Sequence, residues 1–175
     1  MLNKKLPKPK LSSRMKIFIE KAVPNYPFWD FCCDHGYIGI GALQSLKFSE
    51  VHFVDQVPHI MVRLEKLIYQ SPALNPDYNF SLHTKAGEDI CQEVTGSLLI
   101  AGVGGTTIKN ILESLCNRDL LRADRLLLSP HLDEHIMNAF LASEKMARKY
   151  EVLEKISIQE GRRIRPLYIV DKIIR

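Results

Sequence analysis

Apolar residues in this chain gather into short runs set between stretches of helical spacing. FWDFCC (Phe28–Cys33) is a short apolar run and predicts a buried strand, and VHFVD (Val51–Asp55), NFSLHT (Asn79–Thr84), SLLIAG (Ser97–Gly102) and ADRLLLSP (Ala123–Pro130) predict four more strands. LSSRMKIFIEKAV predicts a helix capped by Ser12 or Ser13, with Met15, Ile17, Phe18, Ala22 and Val23 on its apolar side and Pro24 as its stop. Helices are also predicted over Ile38–Lys47, weakened by Gly39 and Gly41, from Pro58 to about Gln70, over Gly105–Cys116 and over Asp133–Lys145. Alternating runs at Tyr150–Gln159 and Arg163–Lys172, joined at Glu160-Gly161, predict a closing hairpin.

Strands that are continuous apolar runs, separated by helices, make a mostly parallel sheet covered on both faces. The expected architecture is α/β, with a seven-stranded, mostly parallel sheet. The C-terminal antiparallel hairpin is expected to add an antiparallel edge strand. The chain has 175 residues, enough for one domain and too few for two ordinary ones. Residues 1–10, with Pro7 and Pro9 among lysines, are expected to form a flexible basic tail, and residues 11–175 the single domain.

Composition narrows the class. Apolar residues make up 46% and charged residues 25%, a globular profile, and no apolar stretch approaches the roughly 18 residues of a membrane span. The basic start MLNKKLPKPK has no apolar segment behind it, so a cytoplasmic protein without a secretory signal is expected. Cys32, Cys33, Cys91 and Cys116 form no CxxC pair, and the expected state is reduced thiols with no metal. Net charge is +4, but it is unevenly spread: residues 1–22 carry +6, residues 23–117 carry −5 and residues 118–175 carry +3. A polyanion would meet the two ends of the chain first; the alternative for the tail is a solvated, disordered segment.

In an open parallel sheet, ligands sit beyond the carboxyl ends of the strands. The first such end is Asp30-Phe-Cys-Cys-Asp-His-Gly-Tyr37. It lacks the GxGxxG that grips a pyrophosphate, which argues against a nicotinamide enzyme. S-adenosylmethionine has no phosphate; it needs a close turn and acceptors for an ammonium and a ribose. Asp30, Asp34, His35 and Gly36 fit that need, with Cys32 beside them; the alternative makes Asp34 a helix cap and His35 a surface residue. Asp55, followed by Gln56, lies 21 residues after Asp34 and suits the ribose hydroxyls, or else is a plain N-cap. Gly87, Glu88 and Asp89 suit the adenine amino group, or else cap a helix. Ala101, Gly102, Val103, Gly104 and Gly105 let backbone approach a ligand. Ser129 and His131 could line an acceptor pocket, or His131 is simply exposed. Arg162, Arg163 and Arg165 suit phosphates, or protect a sheet edge.

Four segments in order, LSSR (Leu11–Arg14), Asp30-x-x-x-Asp-His-Gly-Tyr37, IAGVGGTTIKNIL (Ile100–Leu112) and LLLSPH (Leu126–His131), resemble the TrmK family, S-adenosylmethionine-dependent tRNA (adenine(22)-N(1))-methyltransferases. The resemblance covers about residues 11–172. It implies a Rossmann-like class I methyltransferase domain and a tRNA partner met through the basic N-terminal segment and the hairpin. The cofactor residues it implies are Asp30, Asp34, His35, Asp55, the Gly87–Asp89 segment and the Gly102–Gly105 loop. Asp34 is the expected catalytic carboxylate, with His35 second and Tyr37 as the stacking platform for the target base. The family generally has a Gly-Ser pair where this chain has Cys32-Cys33, and a further C-terminal helical domain beyond the last strand. Those departures favour an alternative, a methyltransferase-like tRNA-binding module with little or no turnover. A second alternative is a methyltransferase acting on another substrate.

Overall fold

The computed structural model describes residues 10–69 and 78–174. All but the last residue of the expected basic tail, and the expected helix end at Gln70, lie outside the described residues. The elements run α1 (Ser13–Lys21), β1 (Phe28–Phe31), α2 (Tyr37–Ser45), β2 (Val51–Asp55), α3 (Pro58–Tyr69), β3 (Phe80–Thr84), a 3₁₀ turn (Gly87–Asp89), β4 (Ser97–Ala101), α4 (Gly105–Asn117), β5 (Arg125–Ser129), α5 (Glu134–Leu141), α6 (Glu144–Ala147), β6 (Tyr150–Glu160) and β7 (Arg163–Lys172). They build one seven-stranded sheet in the order β3-β2-β1-β4-β5-β7-β6. The first five strands are parallel, and strand order reverses between β1 and β4.

Alternation along the strands divides the core into two layers. Trp29, Phe31, Leu98, Ile100, Leu126 and Leu128 face α4, α5 and α6. Phe28, Val51, Phe53, Leu99 and Leu127 face α1, α2 and α3. Each such side chain, fully buried, contributes roughly 1.5–3 kcal/mol of transfer free energy. Ser12 caps α1 as expected, its Oγ accepting from the Met15 amide at 3.3 Å.

Two expectations are corrected. The strand expected over Phe28–Cys33 stops at Phe31, because Cys32 turns the backbone left-handed at φ 57°. The helix expected over Asp133–Lys145 is two: Ser143 is extended (φ −62°, ψ 148°) and separates α5 from α6. The hairpin adds the expected antiparallel edge strand, and the structure shows which of its two strands that is. Its second strand, β7, lies inside the sheet between β5 and β6, and β6 is the edge. Burial accounts for the order: Leu167–Val170 are all buried inside the sheet, whereas Glu151–Lys155 on β6 are exposed. Arg163 and Arg165 lie on the stretch of β7 that runs past β5, which pairs only with Tyr168–Asp171, so edge protection stays the alternative to phosphate binding there.

Candidate active site

The carboxyl ends of β1, β2, β3 and β4 open onto a cleft of about 570 Å³, at the reversal of strand order. Cys32, Asp34, Asp55, Gln56, Gly87, Glu88, Gly102 and Val103 line it, as their places at strand ends predict. Val54, Ile60 and Ile111 supply apolar wall, and Lys85 stands at the rim.

The turn after β1 is held by the end of β2. Asp34 has φ 49°, a left-handed conformation that costs a non-glycine residue about 1–2 kcal/mol. Its amide donates to Asp55 Oδ2 at 3.0 Å, while Asp55 Oδ1 accepts from the Val57 amide at 3.0 Å. Asp55 is thus more than a helix cap: it ties two strand ends together. Nor does Asp34 cap α2. The N-cap is Gly36, which has no side chain to offer. Asp34 is exposed, and its Oδ1 lies 2.7 Å from His35 Nδ1.

Asp30 serves the start of α2 instead. It is buried, does not line the cleft, and its Oδ2 accepts from the Gly39 amide at 2.9 Å. A carboxylate at a helix N-terminus satisfies a donor that Gly36 leaves free. Burial nevertheless pushes its pKa up from 3.8 to about 7. Between those values the unfolded chain has released the proton and the folded chain has kept it, so stability falls as pH rises from 3.8 towards 7. Asp30→Asn keeps an acceptor for Gly39 and removes that slope. Denaturant titrations across this pH range should show the variant gaining on the parent as pH rises; a constant difference would contradict this account.

A second hollow, of about 250 Å³, adjoins the first and shares Cys32, Asp34 and Gly102 with it. His35, Tyr37, Ala101 and His131 line it, with Met15, Phe18 and Ile38 as apolar wall. Gly102 has φ 83°, and a Cβ built there meets nothing within 4 Å, so the absent side chain leaves the junction of the two hollows open. Cys32 contributes the one thiol at that junction; burial and the nearby Asp55, Glu88 and Asp30 push it up to about 12, so it is a neutral thiol. Cys33 is buried against Met61 (Sγ to Sδ 3.9 Å) and reaches only the second hollow.

The back of the second hollow is a polar network from both ends of the chain. Arg14, buried, donates to Glu160 Oε2 at 3.1 Å and Ser129 Oγ at 3.1 Å, and approaches His131 Nε2 at 3.4 Å. Arginine has only donors, so His131 Nε2 accepts and Nδ1 carries the proton. Burial, then Arg165 and Arg14, hold the His131 pKa below its ordinary value, which keeps the ring neutral. Ser129 is fully buried and donates to the Pro166 carbonyl at 2.6 Å, so it supports the wall rather than facing the hollow. Arg165 donates to the His131 carbonyl at 3.3 Å from behind. Arg162 and Arg163 are exposed at the hairpin tip, Asp89 is exposed beside the cleft without lining it, and Gly36, Gly104 and Gly105 line neither hollow.

Arg14, Lys85 and Glu160 were not among the residues the sequence marked for a role. Arg14 had a signal: a cation in the first turn of a helix opposes the helix dipole and asks for another partner. Glu160 read only as a turn residue.

With the cleft and its neighbour in place, comparison with known proteins is informative. A family model described as a methyltransferase domain matches residues 11–167. The chain belongs to that family. No curated protein matches it. Among solved structures, Sp1610 of Streptococcus pneumoniae superposes with a TM-score of 0.79 at 18% identity, over 93% of this chain and 70% of that one. The B. subtilis M1A22 tRNA methyltransferase TrmK superposes at 0.76 with 19% identity, over 93% of this chain and 67% of that one. M. capricolum TrmK, solved with S-adenosylhomocysteine, superposes at 0.72 with 17% identity, over 93% and 69%. The Rossmann-like methyltransferase fold expected from the strand pattern is the fold of this domain. Among the described residues, no helix is long and apolar enough to cross a membrane, and no group of three or more His, Cys, Asp or Glu is placed to hold a metal.

The cleft of this methyltransferase domain suits S-adenosylmethionine. Three carboxylates, Asp34, Asp55 and Glu88, surround a space with apolar walls, an acceptor set matched to a cation bearing a ribose and an adenine. The open face of Gly102 leaves room at the junction where a group would pass between the hollows.

Proposed function

We propose that this domain transfers the methyl group of S-adenosylmethionine to N1 of an adenine in tRNA. The observation that carries the reading is the meeting of two hollows at Cys32, Asp34 and Gly102, one acidic and suited to the cofactor, one walled by His35, Tyr37 and His131. The cofactor supplies an electrophilic methyl carbon. Asp55 would accept from the ribose hydroxyls of the bound cofactor, and Glu88 with its neighbouring backbone would hold the adenine ring. Adenine N1 carries its lone pair in the ring plane, so the nucleophile needs no base before attack, and alignment in a water-poor pocket does most of the work. Methylation leaves the base cationic. Asp34, at the junction, stabilises that charge as it grows. Neutral His131 adds no opposing charge, and Tyr37, 45% exposed at the mouth, offers a face on which an extruded base stacks. The structural neighbours named as m1A22 tRNA methyltransferases and the basic chain ends support RNA as the substrate.

The test is direct. Tritiated S-adenosylmethionine and unmodified tRNA transcripts should give label that maps to N1 of one adenine. Label on no tRNA, with label on another class of acceptor, would replace the substrate and keep the chemistry. One observation favours a second reading, a tRNA-binding module with little turnover: Cys32 places a side chain at the junction where the resemblance expects none. Calorimetry separates the two, since such a module would bind tRNA and give no heat with the cofactor.

A further inference from the structure

A third hollow, of about 390 Å³, lies between the start of α2 and the exposed side of α3, outside both hollows already described. We infer that this groove binds the sugar-phosphate backbone of the RNA segment flanking the target base, with Arg63 and Lys66 on the phosphates. The inference rests on the proposed RNA substrate and adds where that RNA lies.

Its walls are His35, Tyr37, Ile60, Arg63, Leu64 and Lys66. His35 and Tyr37 also wall the acceptor hollow, and Ile60 also walls the cofactor cleft, so the groove continues from the active site. The two rings are stacked, with centroids 5.6 Å apart and planes at 28°, and Tyr37 is open to solvent. Such a ring pair is a sequence-tolerant platform for a neighbouring base.

Arg63 and Lys66 are exposed, and their i,i+3 spacing puts them on one side of α3. No carboxylate among the described residues pairs with either. Glu65, between them in sequence, does not line the groove. Residues 23–117 carry only five Lys or Arg against ten Asp or Glu, so two of those five cations converging on one hollow is not a general surface property. Cations with no carboxylate partner among the described residues, beside an aromatic platform and next to a pocket for one base, match a single-stranded nucleic acid rather than a protein or a duplex.

The experiment is a binding series on the full chain, with a fluorescein-labelled unmodified tRNA transcript and anisotropy read across increasing potassium chloride. The double variant Arg63→Gln, Lys66→Gln should lose about 1.4 from the slope of log affinity against log salt, at about 0.7 per single-strand phosphate released, and bind about tenfold more weakly at low salt. Lys47→Gln, on the loop that enters β2 at the opposite end of the sheet, should match the parent. Calorimetry with S-adenosylmethionine should give the same affinity in all three, which shows the fold intact. Unchanged slope and affinity in the double variant, with a parent that binds and methylates tRNA, would overturn the groove and leave the proposed function standing. An equal loss in Lys47→Gln would overturn it too. A parent that neither binds nor methylates any tRNA would overturn the proposed function, and the groove with it.

Discussion

Asp34→Asn is expected to slow methyl transfer to tRNA by about 100-fold, in the range seen when one stabilising group is removed from a developing charge. Asparagine preserves the shape of the side chain and tolerates the left-handed backbone at φ 49°, so the turn keeps its form. The Asp34 amide still donates to Asp55 Oδ2, which leaves the cofactor cleft assembled. What is lost is a negative charge at the junction of the two hollows, where the proposed reaction leaves the methylated base cationic. Single-turnover rates and cofactor calorimetry on the same preparation check this. A rate loss accompanied by an equal loss of cofactor affinity would show that Asp34 holds the cofactor and does not act on the base.

Gly105→Ala should cost about 3 kcal/mol of stability, the upper end of ordinary overpacking. A Cβ at Gly105 would stand 2.1 Å from the Asp133 carbonyl oxygen and 2.8 Å from its carbon. Those atoms are backbone, and no rotamer change relieves the clash. The Gly105 amide donates to the Leu132 carbonyl at 2.8 Å, so the start of α4 and the loop after β5 are already in contact. For a domain of this size the melting temperature should fall by roughly 6–12 °C. The same loop carries His131, whose amide donates to the Val103 carbonyl at 2.8 Å, so activity should fall with stability. Thermal unfolding monitored by circular dichroism decides; a loss under about 1 kcal/mol would mean that the loop yields easily.

The case of Gly105 shows what the sequence could and could not convey. A glycine-rich stretch at a strand end announced a place where something comes close, but not what. At Gly102 the open face leads to the junction; at Gly105 the close neighbour is another loop. β1, β2, β4 and β5 were legible because burial on both faces demands largely apolar runs, whereas β3, at the sheet edge, is only half-buried and alternates. The order of the last two strands was not legible, since it depends on which of them the rest of the sheet covers. Asp34 and Asp55 were legible as acids at strand ends, whereas their mutual hydrogen bond was not. Asp30 drew attention for the same reason as Asp34, yet its side chain turns inward to α2. Arg14 and Glu160 are 146 positions apart, and no local pattern links residues at that separation.

That last pairing bears on the order in which the protein becomes competent. Every residue lining the acidic cleft lies between Cys32 and Ile111. The neighbouring hollow needs both Arg14 and Glu160, which is synthesised 146 residues later. During synthesis the side chains of the cofactor cleft are thus all delivered before the second hollow has its last two, His131 and Glu160. The nascent chain can acquire its methyl donor site before it has any closed place to deliver the methyl group.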